Sequence, residues 1–227
     1  RLMIEGIFGR NLEHLSEKLE LWDCTTCKTC TLRCPRGLKP MDLVIGMRGS
    51  LVEEGHIPKT LIEAMENSHK HGNPWGKPKN KRTEWTKELP EDLKVKDFSQ
   101  GDRAEYLYFV GCTGAYNVPE RAIPQATASI FNKLGLDFGI LGESELCCGS
   151  TAMRLGDIEA FQRIAESNLE MFRKLHDEKG VKTIVTSCAG CYRAILKDYA
   201  KADAYGRMME GIRVTHVTQF LHELFTT

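Results

Sequence analysis

Nine of the 227 residues are cysteines, and their spacing is the first chemical signal in the chain. They fall into two groups. Cys24, Cys27, Cys30 and Cys34 are packed into eleven residues, with Pro35 directly after. Cys112, the adjacent Cys147 and Cys148, and the pair Cys188 and Cys191 are spread over eighty. An odd number of thiols cannot close into a complete disulfide set, and no secretory leader is expected. Reduced thiolates that bind metal are the better reading.

The first group has the Cys-x2-Cys-x2-Cys-x3-Cys-Pro spacing of a bacterial ferredoxin run. Two-residue gaps let a tight loop set thiolates at the corners of a small cubane, and Pro35 turns the chain away. Zinc usually takes two separated pairs around a tetrahedron. The expected cofactor is a cubane 4Fe-4S cluster on Cys24, Cys27, Cys30 and Cys34. In two-cluster ferredoxins the fourth cysteine serves the neighbouring cluster. Either all four therefore hold one cluster, or a sister motif lies upstream of Arg1 or in another chain.

The elements that must position these thiols change character along the sequence. Residues 1–72 read as helical: Ile7, Leu12, Leu15 and Leu19 fall at helical spacing within Glu5–Leu21, Pro40–Glu54 repeats the pattern, and a helix runs from Pro58 toward His69. Residues 73–103, rich in Pro, Lys, Glu and Asp, read as a linker wrapping one domain onto the other, with Trp75 and Trp85 as apolar anchors. Residues 104–227 alternate strand and helix. Strands are expected over Tyr106–Val110, Phe138–Leu141, Lys182–Ser187 and Ile212–Val217. Helices are expected over Pro119–Leu134, from an N-cap at Asp157, from Cys191 through Tyr199, and over Thr218–Leu224. Such alternation implies a mainly parallel sheet, whose sites form beyond the carboxyl ends of its strands. Cys112, Cys147, Cys148, Cys188 and Cys191 all follow predicted strands and should meet along one edge.

A lone Cys-x2-Cys is a weak signal, open to thioredoxin-like chemistry or zinc; five converging cysteines are a stronger one. Cys147 and Cys148 are poorly placed for a disulfide with each other, since their Cβ vectors diverge. Gly149 and Gly190 are the positions expected to let backbone approach a bulky cluster. The runs CCGSTAMRLG (147–156), GC (111–112) and SCAGCY (187–192) resemble the CCG domain of heterodisulfide reductases and related iron–sulfur oxidoreductases. WDCTTCKTCTLRCPRGLKPMDLVIGMR (22–48) is similar to the second cluster motif of that family's ferredoxin-like part. GNPWG (72–76) resembles a segment of its fused catalytic subunit and of sulfite-reduction-pathway relatives.

The resemblance implies an α/β fold: a helical ferredoxin-like N-terminal domain over 1–72, truncated at its front, a linker over 73–103, and a Rossmann-like, mostly parallel CCG domain over 104–227. It further implies that Cys112, Cys147, Cys148, Cys188 and Cys191 bind a second, noncubane 4Fe-4S cluster and are catalytic in cleaving or forming a disulfide. The chain lacks the family's first ferredoxin motif and second CCG domain, so a truncated protein, or a subunit completed by partners, is expected.

The function expected is electron transfer from the first cluster to the second for thiol and disulfide chemistry. The expected partners are redox subunits, either a flavoprotein or a membrane quinone or cytochrome subunit. Balanced charge, 31 basic against 31 acidic residues, argues against nucleic acid. No apolar run nears the roughly 18–20 residues of a membrane span. The expected location is the cytoplasm, or the membrane surface through a partner. One rival is a relay subunit of a flavin-dependent hydroxyacid dehydrogenase of the glycolate type; another is a zinc-stapled interaction protein. Among other residues, His216 could donate a proton to a leaving thiolate, or be a structural histidine. Arg154 could offset cluster charge or bind a substrate carboxylate, or form a surface salt bridge. His69, His71 and His222 read as surface or packing residues. Lys77, Lys79, Lys81 and Arg82 read as a solvated loop, at best a docking patch for an acidic partner.

Overall fold

Short apolar runs without alternation are the mark of strands covered on both faces, and the centre of this chain has them. The computed structural model describes residues 21–201 and 204–226. Among these residues five strands form one sheet in the order β1-β3-β2-β4-β5. They are β1 (Lys96–Asp97), β2 (Tyr106–Phe109), β3 (Phe138–Ile140), β4 (Thr183–Thr186) and β5 (Arg213–His216). Every pairing is parallel, with Phe109 beside Thr186 and Thr186 beside His216. All carboxyl ends therefore lie on one edge.

Strand periodicity sorts the aromatic core onto the two faces. Tyr106 and Tyr108 meet Phe131 of α5 (Ala122–Lys133) and Phe220 of α10 (Val217–Thr226). Phe109, one residue out of step, meets Phe172 of the long helix α7 (Ile158–Lys179) edge to face. Asp157 caps α7 as expected, its carboxylate accepting from the Ala160 amide at 3.1 Å. Short helices follow the strands: α4 (Cys112–Tyr116), α6 (Ser150–Leu155) and α8 (Ala189–Arg193).

Ahead of the sheet stand α1 (Thr29–Arg33), α2 (Pro40–Glu53) and α3 (Lys59–His71). The helix expected over Glu5–Leu21 lies, apart from Leu21, outside the described residues. Three expectations are corrected. A fifth strand, β1, comes from the stretch read as linker; two residues carry no hydrophobic run to betray it. Trp85 is buried in the core, but Trp75 is 39% exposed and anchors little. The helix expected from Cys191 begins earlier, with Cys188 as its N-cap, and passes into a π turn at Ala194–Asp198. Between α8 and β5 lies a further short helix, α9 (Tyr205–Met208).

Candidate functional site

The five later cysteines meet at the carboxyl edge of the three central strands. Cys112 opens α4 after β2, Cys147 and Cys148 precede α6 beyond β3, and Cys188 and Cys191 frame the start of α8 after β4. All five are free thiols; Cys188 is half-buried and the others are buried. Cys112 Sγ lies 3.6 Å from Cys147 Sγ. Cys147 in turn faces Cys148, and Cys191 faces both Cys148 and Cys188. Sulfur contacts thus join residues far apart in sequence.

Gly111 makes this closeness possible. A Cβ there would lie 2.9 Å from Cys191 Sγ, and its φ of +81° with ψ of 159° is a backbone state essentially reserved for glycine. The glycines singled out from sequence do less. Gly190 has ordinary room beside Cys188, and a Cβ on Gly149 would press on Phe161 and Ile164 rather than on sulfur.

Polar side chains from distant segments hold the cysteine turns. Glu145 accepts the Gly111 amide at 2.8 Å and the Val110 amide at 3.0 Å, so one buried carboxylate fixes the turn before Cys112. Arg82 pairs with it at 2.7 Å and also reaches Leu146 O at 3.2 Å. Arg82 is therefore buried, not part of a solvated basic loop: its only route to a charge partner is inward. Asn168 of α7 donates to Cys147 O and to the Tyr199 hydroxyl, and that hydroxyl donates to Cys148 O, each at 2.9 Å. These four residues were missed from sequence. The one available signal was Asn168, a polar residue at core spacing between Ile164 and Phe172.

The thiols perturb one another. Cys148 is lowered to about 6 by hydrogen bonds from Cys147 and Cys191, and Cys188 to about 6 by the bond from Cys191. Cys147 accepts from Cys112, which favours its thiolate, but donation to Cys148 and burial outweigh this and push it up to about 12. Cys112 is raised by its bond to Cys147, then by burial. Burial opposes the charge of Arg82, yet Glu145 holds it above its ordinary value. Metal-bound cysteines are thiolates, and a buried set whose thiols mainly contact one another suits a ligand that takes several sulfurs together.

The first group is more open. Cys24 and Cys27 lie in a loop, Cys30 is on α1, and Cys34 ends it. Cys27 and Cys30 are exposed. Thr26 and Lys28 both have positive φ, 54° and 69°, on either side of Cys27. Side chains with a Cβ adopt this state at a cost of about 1–3 kcal/mol, and such strain gathers at functional loops. Its effect here is to curl the chain tightly around Cys27. Among the described residues no three His, Cys, Asp or Glu side chains close on a single point as ligands of one metal ion would.

The remaining candidates take structural places. His216 ends β5 on the cysteine edge, but its Nδ1 contacts Thr218 Oγ1 at 2.9 Å and accepts the Thr218 amide at the start of α10. Arg154 pairs with Asp198. His69 is more than a surface residue: it bonds Asp157 at 2.7 Å and contacts Arg163 at 2.8 Å, tying α3 to α7.

Parallel strands, buried thiols at their carboxyl edge and Gly-Cys turns define a cysteine-rich α/β domain, and residues 106–195 match the family model described as CCG, cysteine-rich domain. Over this region the chain matches the CCG domain, and over most of its length it is similar to proteins named heterodisulfide reductase subunit and iron–sulfur-binding oxidoreductase. It is 34% identical over 96% of its length to a subunit of the dihydromethanophenazine:CoB–CoM heterodisulfide reductase of Methanosarcina barkeri, covering 51% of that protein. It is 35% identical to a probable iron–sulfur-binding oxidoreductase of Bacillus subtilis and 32% to the EtfAB:quinone oxidoreductase of Syntrophomonas wolfei. Each of these alignments covers 90% of this chain and 28% of the relative. The chain thus spans about half the length, or less, of these relatives. No solved structure matches it. Among the described residues no helix is long and apolar enough to cross a membrane.

Proposed function

We propose that this chain is an iron–sulfur electron-transfer unit of an oxidoreductase of the heterodisulfide reductase type. Cys24, Cys27, Cys30 and Cys34 hold a cubane 4Fe-4S cluster in a helical, ferredoxin-like part within 1–72. Cys112, Cys147, Cys148, Cys188 and Cys191 hold a second, noncubane one in the α/β part within 104–227, and 73–103 ties the two together. The observation that carries this reading is the gathering of five unbridged thiols from three loops at one sheet edge. A relative named a probable iron–sulfur-binding oxidoreductase, matched over 90% of the chain, supports it.

Bound clusters supply one-electron chemistry, and the second would supply a site where a disulfide's sulfur can bind. The chain's own residues do the rest. Exposed Cys27 and Cys30 place the first site within reach of a redox partner, a flavoprotein or a membrane quinone or cytochrome subunit. Glu145, Arg82, Asn168 and Tyr199 hold the turns that carry Cys112, Cys147 and Cys148, so these thiolates need little rearrangement when their charge changes. Half-buried Cys188 is the open side, where a thiol or disulfide substrate would enter. No role in the chemistry is assigned to His216, whose Nδ1 is engaged at the start of α10.

Iron and acid-labile sulfide analysis on anaerobically purified protein, followed by electron paramagnetic resonance and Mössbauer spectroscopy, tests this. Cys147→Ser should abolish the second cluster's signal and leave the first. Loss of both signals together, or stoichiometric zinc without sulfide, would sink the proposal.

A further inference from the structure

A single buried guanidinium ties the first cysteine loop to α6, the helix that follows the Cys147–Cys148 pair. Arg48 lies on α2 and is 3% exposed. Its Nε and Nη2 donate to Leu21 O at 2.9 and 2.5 Å, and Nη2 also donates to Cys24 O at 2.7 Å. On the other side of the fork, Nη1 donates to Arg154 O at 2.7 Å. Cys24 is the first ligand of the first group. Arg154 lies on α6, which begins two residues after Cys148. The backbones touch at the same place: a Cβ on Gly156, at the end of α6, would lie 2.5 Å from the Gly49 nitrogen of α2.

The charge of Arg48 is as telling as its bonds. Its acceptors are all neutral carbonyls, its guanidinium lies 5.3 Å from the Trp22 ring centroid, and among the described residues no carboxylate pairs with it. A buried cation without a counter-charge is costly. The anionic group at hand is the thiolate set that begins at Cys24. Arg82, the other deeply buried arginine, has Glu145 for this purpose.

The geometry points to Arg48 as the link between the two sites: it fixes their spacing, offers a hydrogen-bonded route between them, and sets a positive charge beside the first. It is a positioning residue and touches no substrate. The inference rests on the two-cluster reading above. Clusters bound at the two sites would supply the one-electron chemistry, fed by an external one-electron reductant, while Arg48 holds the spacing between them. No bond breaks, and no proton passes through Arg48.

The test uses the full 227-residue chain, loaded anaerobically. Iron is counted first: about four atoms per chain rather than about eight would end the two-cluster reading, and this inference with it, before any kinetics. At about eight, photoreduction of the first site is followed by time-resolved detection of electron arrival at the second. Arg48→Lys keeps the charge but loses the planar fork; transfer slows roughly tenfold while the first site keeps its midpoint potential. Arg48→Met slows transfer equally and shifts that potential to more negative values. A wild-type transfer rate in Arg48→Lys with both sites loaded overturns the inference. Loss of iron from the first site in Arg48→Lys overturns it too, since Arg48 would then be part of one cage rather than a link between two.

Discussion

At Gly111 a single hydrogen atom in place of a methyl group decides whether Cys191 can sit where it does. Gly111→Ala meets both a glycine-only backbone state, at about 1–3 kcal/mol, and a sulfur 2.9 Å from the new Cβ. The variant is expected to lose iron from the second site while keeping the first, read as iron content with the spectroscopic signals resolved. Retention of both signals at full strength would remove the role given to this glycine. Arg82 is tested differently. Arg82→Ala leaves the Glu145 carboxylate buried without its counter-charge, and breaking such a pair typically costs about 3–5 kcal/mol. Denaturant unfolding should show this loss. Arg82→Met combined with Glu145→Gln should be milder than Arg82→Ala, because no lone charge is left inside; an equal or larger loss in the double variant would refute the ion-pair account.

On the scale of single elements, α7 is the long support behind Cys147 and Cys148, because Asn168 projects from it onto their turn. Its start depends on Asp157, which accepts from Ala160 and pairs with His69 of α3. Asp157→Ala should destabilise the fold by about 1–2 kcal/mol, mostly through the lost cap, since His69 is 40% exposed and a pair so placed is worth little. A thermal melt within error of wild type would contradict that assignment. This element was legible in sequence: the Asp157 cap and the apolar stripe through Phe161, Ile164, Leu169 and Phe172 are local patterns. Strand β1 was not, because a two-residue strand is decided by its partner β3 and not by its own side chains. The helices opened by Cys112 and Ser150 were too short for any period to show.

For the molecule as a whole, the two cysteine regions differ in what supports them. The sheet edge backs onto a continuous aromatic and aliphatic core, whereas α1 buries none of its residues. Removing iron with a chelator under anaerobic conditions should therefore leave the far-ultraviolet circular dichroism largely intact while amide exchange rises over residues 21–38, measured by hydrogen-exchange mass spectrometry. Global unfolding on chelation would show instead that metal, not the apolar core, holds the sheet together. By itself the sequence determined the two thiol groups, the ferredoxin-type spacing of the first, and the parallel α/β class, because ligand spacing and hydrophobic periodicity are written in neighbouring residues. Only the tertiary structure decided that Glu145 and Arg82 fix the turn before Cys112, that Asn168 and Tyr199 clamp the cysteine pair, and that Arg48 ties the Cys24 loop to α6. Those partners stand up to 106 positions apart, and which distant polar groups meet is settled only when packing of the core brings their segments together.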